Sequence, residues 1–150
     1  MKLKKNNLIL ISLILLLVYF IQLKILTLFN FSPNFFLASL IVFVFFASNY
    51  LEILFLAFFS SFLINWKPHL SIEIMLFFLI PQLIYFILKF FKLENWLTLL
   101  ICLISANLLF YAVVNYHFFA NYLNYIIYDI LISTLWGILV YLIFKEEKLL

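Results

Sequence analysis

The sequence predicts an all-α, polytopic integral membrane protein: one domain, a bundle of six transmembrane helices with both termini cytoplasmic. Three observations predict it. The chain of 150 residues is 69% hydrophobic and 10% charged, with a mean hydropathy of +1.28, which leaves too few polar side chains to cover a water-soluble fold. Its apolar runs are continuous over ~15–20 residues rather than alternating, and in lipid that pattern selects helices over barrel strands. Its basic residues are nine lysines and no arginine, and they lie almost entirely between the apolar runs.

Spans are expected near 7–23, 34–49, 51–65, 72–91, 96–116 and 125–144. The first follows Lys2, Lys4 and Lys5. No small-x-small cleavage site follows its apolar run, so it reads as an uncleaved span rather than a signal peptide. Ser32 and Pro33 make an N-cap and N1 pair for the second span. Asn65-Trp66-Lys67-Pro68-His69 separates the third from the fourth, which Ser71 can cap and whose first turn suits Glu73. Pro81 removes a backbone donor inside the fourth span and is expected to kink it, with Gln82 beside it to re-satisfy freed backbone groups. Asn95 and Asn124 can open the fifth and sixth spans.

Residues 34–65 could instead form one long tilted helix with Asn49 and Glu52 buried, giving five spans. The lysines decide between the two arrangements. Six spans with a cytoplasmic N-terminus put Lys2, Lys4, Lys5, Lys89, Lys92, Lys145 and Lys148 inside, and only Lys24 and Lys67 outside. Five spans give four inside against five outside. The excess of lysine on cytoplasmic loops favours six.

Asp129 is the acid lying well inside a span. An aspartate near a helix centre costs ~2.5–3.5 kcal/mol on insertion scales, against roughly −0.3 to −0.6 for each Leu, Ile, Phe or Val, so the sixth span still inserts. Asp129, Ser133 and Gly137 form a small and polar stripe suited to close helix contact. Asp129 can be read as a proton or ion relay, as a partner contact, or as a polar packing residue near the interface paired with Tyr125 or a neighbouring helix; packing is the favoured reading. A second stripe runs from Glu52 through Ala57, Ser61 and Asn65 on the third span. Packing within the chain is its favoured use, and contact with a partner helix the alternative.

The aromatic and amide-rich run from Asn115 to Tyr125 faces outward in this topology, either as an interfacial belt or as a docking surface. His69 and His117 are isolated, so no metal site is expected. Cys102 reads as a small packing residue. With one glycine and no recognisable nucleophile, metalloprotease or phosphate-loop motif, no enzymatic activity and no cofactor are expected. A net charge of +3 without a clustered basic face gives no nucleic-acid footprint.

The run from Leu51 to Asn65, followed by Pro68, resembles the rod-shape-determining membrane protein family, MreD. In that pattern a glutamate precedes two small residues four apart, usually glycines, then an aspartate four residues on and a proline turn. Here Glu52 holds the glutamate position, Ala57 and Ser61 the glycine positions, and Asn65 the aspartate position, keeping its size without its charge. The resemblance implies a non-enzymatic scaffold in the bacterial inner membrane. Its partners would be a single-span protein, MreC, and through it the actin-like MreB and the peptidoglycan synthases. A related architecture is the substrate-binding S-component of energy-coupling-factor vitamin transporters. Members of that family resemble one another in using small residues, often alanines, on the first helix to meet the coupling subunit, and this chain departs from them in offering only Ser12 there.

Overall fold

The computed structural model describes residues 7–29, 33–64, 71–91, 96–114 and 123–146. The chain is all-α. Six helices follow in order: α1 Asn7–Phe29, α2 Phe35–Phe46, α3 Tyr50–Ile64, α4 Ile72–Phe91, α5 Trp96–Val114 and α6 Leu123–Glu146. Of these, α4, α5 and α6 are long and apolar enough to cross a membrane. Asn65, His69, Asn95, His117 and most of the aromatic run 115–125 lie outside the described residues.

The organising element is α2. Its sequence, FFLASLIVFVFF, is apolar on every side, and a helix of that kind has no face to give to water. Accordingly every residue from Phe35 to Val44 is buried, and α2 packs against all five other helices. Twelve residues rise roughly 18 Å, short of the ~30 Å hydrocarbon core of a bilayer. The ends of α2 therefore depend on neighbouring side chains rather than on solvent or headgroups.

Those neighbours supply what the N-terminus needs. A helix start leaves four backbone N–H groups without intrahelical acceptors. Here Asn34 N–H donates to Ser133 Oγ at 2.8 Å, Phe35 N–H to the Pro33 carbonyl at 2.9 Å, Phe36 N–H to Gln22 Oε1 at 2.8 Å and Leu37 N–H to Asn34 Oδ1 at 3.2 Å. The N-cap is thus Asn34, two positions after the expected Ser32, and Pro33 precedes the helix instead of opening it. The cap moved because Asn34 can serve Leu37 with its side chain while its own N–H is met by Ser133.

Residues 34–64 form two helices, not one. Ala47 turns to an extended conformation and ends α2 three residues before the expected boundary. Glu52 then reaches back across the break, accepting from Ser48 N–H at 2.8 Å, Ser48 Oγ at 2.9 Å and Asn49 N–H at 3.4 Å. This is the reciprocal half of a capping box, with a glutamate at N3 serving donors at and before the N-cap.

Side-chain pairings fix the helix directions. Asn34 meets Ser133 and Phe43 meets Phe144, so α2 and α6 run parallel. Tyr50 meets Gln82 while Ser61 meets Ile74, so α3 and α4 are antiparallel. Leu103 faces Gly137 and Tyr111 meets Asp129, so α5 and α6 are antiparallel. Phe36 against Phe77, with Val44 beside Tyr85, makes α2 parallel to α4. Direction therefore reverses at each connection from α2 to α6.

In α4 the helix runs continuously through Pro81. The proline deprives the Phe77 carbonyl of its usual donor, yet Gln82 Nε2 bonds the next carbonyl, that of Phe78, at 3.1 Å. Gln82 Oε1 accepts from Tyr50 Oη at 2.9 Å, so the same amide ties α3 to α4. Asn124 lies inside the first turn of α6, which begins at Leu123.

Candidate functional site

The two stripes expected from the sequence are interior faces of the bundle. On α3, Ala57 and Ser61 are buried. Ser61 Oγ donates to the Ala57 carbonyl at 2.8 Å and lies 3.3 Å from the Ile74 carbonyl of α4. Contact between a side-chain hydroxyl and a neighbouring backbone carbonyl requires close helix approach, and residues of this size permit it. A partner helix could reach either residue only by displacing part of the bundle, which for Ser61 includes α4. Glu52, counted with this stripe in the sequence, instead serves the α2–α3 break, and Asn65 lies outside the described residues.

On α6, Asp129, Ser133 and Gly137 each meet a different group. Asp129 is 6% exposed, and its Oδ2 accepts from Tyr111 Oη of α5 at 3.1 Å. Ser133 accepts the Asn34 N–H of α2. Gly137 faces Leu103 of α5, whose methyl carbons would stand 2.8 Å from a Cβ added there. Tyr125, the local partner weighed for Asp129, is 63% exposed, and the neighbouring-helix pairing is the one formed.

Sequence reasoning did not find Tyr111, Asn107 or Thr134. Each is a polar side chain buried on α5 or α6. Asn107 Oδ1, Asp129 Oδ1 and Thr134 Oγ1 are buried without a hydrogen-bond partner, a state that costs free energy in an apolar interior. The missed signal was periodic. Asn107 and Tyr111 are four apart on the fifth span, as Asp129 and Ser133 are on the sixth, so each helix buries one polar stripe, and Tyr111 and Asp129 join the two.

Beyond Tyr111 lies a cavity of about 390 Å³ at the end of the bundle where α2 and α4 begin and α3 and α5 finish. Its wall includes the Tyr111 ring, the two amides Gln22 and Asn34, and the half-buried Glu73. No hydrogen bond or ion pair joins the Glu73 carboxylate to another described residue. No group of three or more His, Cys, Asp or Glu among the described residues is arranged to hold a metal ion. The opposite end carries Lys89, whose Nζ lies 5.8 Å from the Tyr85 ring centroid, and Lys145, placed likewise 5.8 Å from the Tyr141 centroid.

Comparison with protein-family models, with curated proteins and with solved structures finds no match to this chain.

Proposed function

We propose that the chain is a six-span protein of a bacterial cytoplasmic membrane, with both termini in the cytoplasm. In this reading it is a non-enzymatic scaffold of the cell-shape and elongation machinery, packing against a single-span partner in the manner of the MreD family. One observation carries the reading: the residues that resemble that family's pattern are those that build the α2–α3–α4 hairpins. Glu52 ties the break before α3, and Ala57 and Ser61 let α3 lie close on α4. With α1 taken as the first crossing, the five alternating helices from α2 to α6 bring the total to six. Lys89 and Lys145 share one end of the bundle, where a cytoplasmic surface would have them.

Since Ala57 and Ser61 are buried inside the bundle, the partner surface is assigned to the outward face of α3. Leu51, Phe55, Phe58 and Phe62 follow one another there at helical spacing, and all are exposed. The test is co-expression with the MreC-like single-span protein of the same genome and recovery of the pair on one affinity tag. Recovery of the partner with the unaltered chain, and its loss with Phe55→Ala plus Phe58→Ala at normal expression, is the expected result. No recovery with the unaltered chain removes the scaffold reading, whereas unchanged recovery in the variant removes only this face.

A second reading, the substrate-binding subunit of a small-molecule transporter, is favoured by the cavity beside Tyr111. Co-purification of an ATPase and a coupling subunit in place of wall-synthesis proteins would select it.

A further inference from the structure

We propose that the cavity at the α2–α4 start of the bundle binds a small organic cation, an amino alcohol or quaternary ammonium group. The proposal concerns occupancy of this cavity and holds whether the chain serves a scaffold or a transporter. Its volume of about 390 Å³ falls within the range of small-molecule sites, which combine apolar walls with a few convergent polar groups.

Five aromatic rings line it in a continuous chain. Tyr19 meets Phe36 with centroids 5.6 Å apart, Phe36 meets Phe77 at 5.5 Å, Phe77 meets Phe110 at 5.4 Å, and Phe110 meets Tyr111 at 6.0 Å. Aromatic walls attract a cation through the negative faces of their π-systems, and more strongly when water is excluded. Glu73 supplies the formal charge, half-buried in the lining and joined to no other described residue by a hydrogen bond or ion pair.

The helix ends act in the same direction. Ile64 and Val114, the last residues of α3 and α5, both border the cavity. The C-terminal ends of helices carry partial negative charge. The opposing N-terminus of α2 has no donor to offer an anion, since all four of its leading N–H groups are already bonded. Those bonds also engage Gln22 Oε1 and Asn34 Oδ1, so the two amides present their NH2 groups as donors. A hydroxyl or carbonyl close to the cationic centre would match them.

The test uses the purified chain in phosphatidylglycerol nanodiscs, titrated with choline and with its neutral carbon isostere, in which tert-butyl replaces trimethylammonium. Saturable choline binding is expected, with the isostere weaker by roughly tenfold or more. Glu73→Gln should weaken choline binding to a similar degree, and Glu73→Asp should retain most of it. Repeating the titration with phosphatidylethanolamine in the discs separates the sources of the ammonium. A weaker apparent choline affinity identifies a lipid headgroup as the resident cation, and an unchanged one identifies a soluble compound; both support the site. Absence of saturable choline binding in phosphatidylglycerol discs, equal binding of the isostere, or an unaltered affinity in well-folded Glu73→Gln overturns it. The isostere comparison on the unaltered chain decides even where the variant fails to fold. Recovery of the single-span partner is read separately, so failure here leaves the scaffold reading standing.

Discussion

The Ser133 hydroxyl accepts the backbone N–H of Asn34 at 2.8 Å, joining residues 99 positions apart. It is one of four bonds that let α2 start inside the bundle rather than at its surface. Ser133 is fully buried, so no solvent can replace it. Ser133→Ala is expected to cost about 1–3 kcal/mol, the penalty of an orphaned buried donor. Unfolding of the detergent-solubilised protein by dodecyl sulfate measures it, and an unchanged midpoint would mean that the Asn34 N–H finds another acceptor.

This contact also marks where the sequence stops being legible. The all-α class and the approximate bounds of the helices follow from apolar run length and turn residues, which are local properties. Placing the α2 cap at Asn34 depends on Ser133, which no reading of residues 30–37 contains. The pairing of Asp129 with Tyr111 is similar, because it depends on how α5 and α6 lie together. Glu52 was legible as an acid at the start of the third span. Its backward reach to Ser48 and Asn49 was not, because the apolar pattern carries the second span through both residues, which the structure leaves between α2 and α3.

Glu52 gives the second prediction. Its carboxylate is half-buried and serves two backbone donors and a hydroxyl at the α2–α3 break. Glu52→Ala should destabilise the protein by about 1 kcal/mol, in the range of lost N-terminal caps. Glu52→Gln, which keeps one acceptor oxygen, should lose less. The two unfolding midpoints, ranked against the parent, check the order; equal losses would assign the effect to charge rather than to capping.

Tyr111 and Asp129 form a buried pair whose members should be strongly non-additive. Tyr111→Phe removes the hydroxyl that donates to Asp129 and leaves its carboxylate buried among apolar groups, which should cost about 1–3 kcal/mol. Adding Asp129→Leu removes the stranded group as well, and replacing both members of a buried polar pair is often close to neutral. A double-mutant cycle on unfolding free energies reads the coupling. Strictly additive losses would show that the hydroxyl and the carboxylate do not stabilise one another.

Gly137 allows α6 to approach Leu103, which is itself fully buried and has little room to withdraw. For Gly137→Ala two effects oppose: overpacking of about 1–3 kcal/mol and a gain in helix propensity of about 1 kcal/mol. A small net loss is expected. Gly137→Leu adds much more volume for no further propensity and should separate α5 from α6. Thermal unfolding in mild detergent should therefore show a shallow drop for alanine and a steep one for leucine; similar midpoints for both would show that Leu103 gives way.

The proposed topology makes the last prediction, and it turns on the three residues between α2 and α3. If 35–46 and 50–64 cross separately, fusions at Ser48 and Lys92 should report the cytoplasm, and fusions at Lys67 and His117 the outer side. Green fluorescent protein and alkaline phosphatase give opposite readouts at each position. A five-span chain, with 34–65 crossing once, reverses Lys67, Lys92 and His117 together. The lysine distribution and the helix break then make a joint test. Deleting the Glu52 acceptor loosens the break, but the charge on Lys89, Lys92, Lys145 and Lys148 still opposes export of the ends they flank. Glu52→Ala alone should therefore leave every reporter unchanged. Replacing those four lysines by glutamine in the same background should produce mixed orientation at Lys92.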